Sequence, residues 1–178
     1  MAGVTENARM GMRNFLVEGV SGTGKTAVCH ELRRRGFDAV NGDTDLARPL
    51  APGSAPVTAE DVHADHGWDA DRVRALAADT TEPLTFFCGG SRNAAEFLDV
   101  FDAVFVLHVD RATLLARLGR RPAGEWGSTR AQRALVVRLH EDGNDVPPGV
   151  PIDASAPLGV VVDELVRLAR EVDARLDG

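Results

Sequence analysis

Residues Gly19-Val20-Ser21-Gly22-Thr23-Gly24-Lys25-Thr26 fit the pattern G-x-x-x-x-G-K-[ST]. In such a loop the backbone N–H groups wrap phosphates, the lysine reaches the terminal phosphates and the Thr26 hydroxyl takes Mg²⁺. The pattern constrains the fold as much as the chemistry, because it works between a buried strand and a helix whose N-terminus attracts anions. The flanks agree. Asn14-Phe15-Leu16-Val17 reads as a buried strand, and Lys25 to Arg35 holds no Pro or Gly, with Gly36 as the stop. Lys25 is also the only lysine; the other nineteen long basic residues are arginine. A chain that uses arginine everywhere else needs lysine itself at that position, since a compact ammonium and a planar guanidinium are not interchangeable there. The loop predicts binding of a nucleoside triphosphate.

Strand and helix patterns alternate along the rest of the chain. Phe37 to Val40 is a short strand entering the polar turn Asn41-Gly42-Asp43-Thr44-Asp45, and residues 49–56 are too rich in Pro, Ala and Gly for a regular element. Asp69 to Ala78 has helical spacing, Leu84 to Cys88 is an apolar strand stopping at Gly89-Gly90, and Ser91 to Phe101 reads as a helix capped by Ser91. Ala103 to Leu107 is a buried strand, Asp110 caps a helix from Arg111 to Arg120, and Thr129 to His140 is again helical. Ile152 ends a last short strand, and residues 157–176 form an amphipathic helix. Alternating strands and helices predict a three-layer α/β/α domain with a parallel sheet of about five strands. Ligands in such sheets bind beyond the carboxyl ends of the strands, which puts the phosphate loop, Asp43 to Asp45 and Gly89 to Asn93 on one edge.

The 178 residues suit one domain with a real core, over residues 13–178 behind a flexible leader at 1–12. A net charge of −7 argues against a nucleic-acid partner, which leans on a basic face. No apolar run approaches the roughly 18 residues of a membrane span. Cys29 and Cys88 lie too far apart for a metal-ligand spacing and read as packed free thiols in a reducing cytoplasm. His63 and His66 lack a third ligand, so Mg²⁺ is the one metal expected.

Asp43 and Asp45 would point the same way from an extended chain and could divide the ordering of Mg²⁺ and proton acceptance between them. An Asx-type turn is the alternative. Arg117 and Arg121 share a helical face before a Pro-Gly break, so a flap there could carry them over a transferring phosphate; solvated surface arginines are the other reading. Arg92 and Asn93 either contact an acceptor or decorate a glycine turn. Trp68 either stacks on a planar ligand or plugs the domain.

The ordered set resembles the small P-loop kinases: shikimate, gluconate, adenylate and dephospho-coenzyme A kinase. The shared pieces are Gly19 to Thr26, the D-x-D of Asp43 and Asp45, Gly89-Gly90, and Leu114 to Arg121, which looks like an arginine-bearing entry to a lid. Ile152 to Pro157 is similar to the segment those kinases lay against adenine. The resemblance implies a core, a short lid at about 118–133 and an acceptor region at about 46–80. It implies ATP and Mg²⁺ as cofactors, with Lys25, Asp43, Asp45, Arg117 and Arg121 in the transfer. Thr26 and Asp43 would serve the metal, and Arg117, Ala154, Ala156 and Pro157 the nucleotide. Asp45, Trp68, Gly89, Gly90, Arg92 and Asn93 would serve a small acceptor: a nucleoside, sugar or hydroxy acid. A monomer or homodimer is expected. Two glycines where shikimate kinase has three, and no Asp-Gly-Phe-Pro-Arg run, leave the acceptor open. The competing function is a nucleotide-dependent switch or simple NTPase.

Overall fold

The computed structural model describes residues 12–177; the leader expected over 1–12 lies, Met12 apart, outside the described residues. The strands are β1 (Arg13–Glu18), β2 (Asp38–Asn41), β3 (Ala47–Pro49), β4 (His66–Trp68), β5 (Leu84–Cys88), β6 (Ala103–His108) and β7 (Val150–Asp153). The helices are α1 (Lys25–Arg34), α2 (Gly42–Asp45), α3 (Ala59–Ala64), α4 (Ala70–Ala77), α5 (Arg111–Gly119), α6 (Arg130–Asp142) and α7 (Leu158–Leu176). Five strands pair in the order β2-β5-β1-β6-β7, all parallel. Every carboxyl end therefore lies on one edge, and so do the loops that follow. No helix of the described residues is long and apolar enough to cross a membrane.

Alternation along the strands splits the core into two faces. Phe15 and Val17 of β1, with Phe86 and Cys88 of β5, point to one side, where α1, α5, α6 and α7 bury Val28, Leu32, Leu114, Leu118, Val136, Val162 and Leu165. Leu16 and Phe87 point to the other, against Leu46, Trp68, Val73 of α4 and Phe97. This is the expected three-layer domain with a five-stranded parallel sheet.

Two expectations are corrected and one hairpin was not anticipated. Residues 91–101 form no helix but two 3₁₀ turns, Ala94–Glu96 and Leu98–Val100. The backbone there is claimed sideways: Arg92 N donates to His66 O at 3.0 Å, and the Ser91 hydroxyl donates to Asn93 Oδ1 at 2.6 Å while accepting from Asn93 N at 3.3 Å. Asn41 to Asp45 is a helical turn rather than an extended run, with the Asn41 side chain accepting from Asp43 N. Between these segments β3 and β4 form an antiparallel hairpin, pairing Arg48 with Gly67, which the irregular composition around it concealed.

Trp68, expected as an acceptor contact or a plug, is the plug. It is 0% exposed and stacks on Phe97, centroids 5.7 Å apart and planes 6° from parallel. Gly42 has no Cβ for the same reason: one would lie 1.9 Å from the indole Cζ2. Asn93, also expected at the acceptor, clamps this strand instead, accepting from Trp68 N and donating to Trp68 O, both at 2.9 Å. Trp68→Ala should cost about 3–5 kcal/mol in urea unfolding, the usual range for emptying an aromatic site. A loss below about 1 kcal/mol would contradict the plug.

Candidate active site

β1 delivers the phosphate loop to the sheet edge and α1 begins at Lys25. Gly22 and Gly24 hold φ of +95° and +108°, which L side chains rarely adopt. Thr23 is buried and pins the turn, its N and Oγ1 both donating to Val20 O, at 3.2 and 2.8 Å. The amides of Gly22, Gly24, Lys25 and Thr26 donate to no acceptor among the described residues, as phosphate-binding amides would. Lys25 Nζ donates to Gly19 O and, at 3.4 Å, to Val20 O.

Three adjoining cavities surround this loop. One of about 500 Å³ is lined by Ser21, Gly22, Gly24, Lys25, Thr26 and Ala27, with Asp43, Arg117, Arg121 and Trp126. A second, about 290 Å³, runs beside Thr23, Val28, Arg117, Ala154, Ala156 and Val161. A third, about 250 Å³, lies on the other side, between Lys25, Asp43, Gly90 and Arg92 and the side chains of His63, His66, Trp126 and Asp145. Lys25, Ser21, Asp43 and Trp126 line both the first and the third. Pro157 lines none of these and opens α7 instead.

The two aspartates of the D-x-D part company. One helical turn advances about 100° per residue, so side chains two apart leave on nearly opposite sides. Asp43 faces the loop; its Oδ1 lies 3.3 Å from His66 Nε2 and 3.4 Å from Gly90 N. Burial pushes its carboxyl up, but the His66 hydrogen bond and the Lys25 charge outweigh this and hold it below the usual range. Asp45 turns away, accepting from Arg33 Nη2 and Asn41 N, both at 3.1 Å, and lines none of the three cavities. The expectation that Asp45 serves the acceptor while Asp43 serves the metal is corrected for Asp45 on that geometry.

Arg117 straps the site together. Its Nη1 donates to Thr23 O and its Nη2 to Ala154 O, both at 2.8 Å. Arg121 donates to Ser21 Oγ at 3.1 Å and to Trp126 O, and its partial burial pulls its pKa down. Gly89 carries no ligand group but lets Asp43 and Trp68 approach: a Cβ there would lie 2.9 Å from Asp43 Oδ1. Thr26 and Asp43 are the metal candidates on the large cavity. No cluster of three His, Cys, Asp or Glu among the described residues could hold an ion by itself. A hydroxyl and a carboxylate are hard oxygen donors, and a site so sparse suits Mg²⁺, which keeps waters and takes substrate phosphate oxygens.

Sequence reading passed over Glu18, Trp126 and Asp145, and singled out His63 and His66 without a role. Only Trp126, a lone aromatic inside the break after α5, carried a local signal. Glu18 ends β1 beneath the loop, 1% exposed, accepting from Gly19 N at 2.9 Å and Ser91 N at 3.3 Å. Burial pushes its pKa to about 7, against the pull of Lys25 and the Gly19 amide. A raised acid favours folding below its unfolded value, near 4.5, and loses that contribution as pH climbs through 7. The stability of wild type relative to Glu18→Gln should therefore fall by about 3 kcal/mol between pH 4.5 and 8. Urea midpoints at both pH values measure it; a pH-independent difference would contradict the shift.

Strand, glycine loop and helix on the edge of a β2-β5-β1-β6-β7 sheet, with an aspartate facing the loop lysine, define the fold of the small P-loop kinases. The chain belongs to the AAA domain family, whose model matches residues 16–138. Solved structures agree on the fold. A gluconokinase from Sinorhizobium meliloti 1021 superposes with a TM-score of 0.53 at 21% identity, covering 92% of this chain and 97% of that one. A sugar kinase from Janibacter sp. HTCC2649 gives 0.52 at 18%, covering 90% and 95%. A shikimate kinase from Bacteroides thetaiotaomicron gives 0.51 at 14%, covering 88% and 97%. No curated protein matches in sequence.

Proposed function

We propose that the chain is an ATP-dependent kinase that transfers the γ-phosphate to a hydroxyl of a small molecule. One observation carries this: Lys25 and Asp43 form the shared wall between a cavity sized for nucleotide phosphates and a second, side-chain-lined cavity beyond them. A switch or simple NTPase has no need of that second cavity.

In this reading adenine lies along Ala154 and Ala156, and the loop amides with Lys25 hold the phosphates. The acceptor oxygen attacks the γ-phosphorus as the bond to the ADP oxygen breaks, and the hydroxyl proton passes to Asp43. Mg²⁺, held through Thr26 and oriented by Asp43, would neutralise phosphate charge when bound. Arg121, beside Ser21, adds positive charge where it develops on the transferring group, and Arg117 keeps loop and adenine segment in register. Residues 120–129, which carry Trp126 across both cavities, act as the lid, and the β3–β4 hairpin with α3 forms the acceptor wall. Buried free thiols at Cys29 and Cys88 support a reducing, cytoplasmic setting.

ADP formation from Mg-ATP tests this, measured with and without pooled nucleosides, sugars and hydroxy acids. The kinase reading expects a rate that rises with a pool. A steady rate indifferent to every pool would overturn it in favour of the NTPase reading.

A further inference from the structure

We propose that the acceptor is an uncharged polyhydroxy compound with an apolar ring face, a sugar or the ribose of a nucleoside, and that Asp145 excludes hydroxy acids by neutralising Arg92. This rests on the kinase reading and narrows it.

Arg92 is the one arginine lining the acceptor cavity among the described residues, and it is the group that an acid would need. Both of its terminal nitrogens are already engaged by Asp145. Nη1 donates to Asp145 Oδ1 and Nη2 to Asp145 O at 2.8 Å. The same Oδ1 lies 2.8 Å from His63 Nε2. The Asp145 side chain is only 7% exposed, and those of Arg92 and His63 22%. In so sheltered a place the pair is screened much less than on the surface, and pulling it apart leaves a charge without a partner.

The remaining charges do not help an acid. Lys25 is folded against the loop carbonyls of Gly19 and Val20, where the transferring phosphate claims it, and Asp43 lines the cavity beside it. An entering carboxylate would meet the carboxylates of Asp43 and Asp145, with Arg92 already paired, and that repulsion is a specificity device in its own right. A neutral polyol meets none of this cost. The neighbouring lining suits a ring: Trp126 stacks on His63, centroids 6.2 Å apart and planes 15° from parallel, and Val62 lines the same cavity. An apolar wall with a few placed polar groups is the usual construction of a small-molecule site.

The test compares kcat/KM for three acceptor sets, namely neutral monosaccharides and polyols, nucleosides, and sugar acids with other hydroxy acids, in wild type and Asp145→Asn. Wild type should use a neutral set and disfavour acids by on the order of tenfold or more. The first two sets tell a free sugar from a nucleoside. Asn keeps the shape and removes the charge, so Asp145→Asn should shift the acid-to-neutral ratio towards acids by about tenfold. Acids preferred by wild type would overturn this inference while leaving the kinase reading intact. An unchanged ratio in a folded Asp145→Asn would remove Asp145 from the selection. A rate indifferent to all three sets would overturn both. Should the variant not fold, the wild-type ratio alone decides.

Discussion

Asp43→Asn is expected to lower kcat by about a thousandfold while Mg-ATP still binds, which is the middle of the range for losing a general base. The carboxylate lines both cavities, and its hydrogen bond to His66 with the charge of Lys25 keeps it ionised, so it can accept a proton at neutral pH. Asn preserves the hydrogen-bonding shape and removes the basicity. Asp45→Asn is the internal control. That carboxylate is engaged by Arg33 and Asn41, outside the cavities, and its replacement should change kcat by less than about threefold. Steady-state kinetics with nucleotide binding by calorimetry separates the two effects. Equal losses at both positions, or a larger loss at Asp45, would reverse the assignment.

Lys25→Ala should abolish transfer, and Lys25→Arg should come close, with kcat/KM down by roughly a hundredfold or more despite the retained charge. The ammonium sits folded against the carbonyls of Gly19 and Val20, a position that admits a compact point charge on a flexible stem. A guanidinium is a planar fork and must displace the loop to enter. The arginine variant is the sharper of the two, because it asks whether shape matters beyond charge. Activity within threefold of wild type in Lys25→Arg would show that the solitary lysine reflects composition and not chemistry.

The parts legible in the sequence were those that depend on near neighbours. The octapeptide Gly19 to Thr26, the strands expected over Leu84 to Cys88 and Ala103 to Leu107, and the Asp110 cap are set by local sterics and hydrogen bonding, and all stand in the structure. The segment from Ser91 to Phe101 misled because its spacing is helical while its backbone groups are drawn to the β3–β4 hairpin. The D-x-D misled for a related reason: whether two carboxylates share a side depends on φ and ψ at one intervening residue, and Asn41 turns that stretch into a helical turn. Trp68 was ambiguous because burial is a property of what packs on a ring, here Phe97, Gly42 and Gly89.

By itself the sequence determined the parallel α/β layering and the phosphate loop, since periodicity and a contiguous motif encode both. Tertiary structure alone decided which aspartate meets the loop, that Glu18 lies sealed beneath it, and that His63, Arg92 and Asp145 converge. Those last three lie 29 and 53 residues apart along the chain, and no local pattern records a meeting made by the folding of α3, the β5 loop and the α6–β7 loop onto one sheet edge.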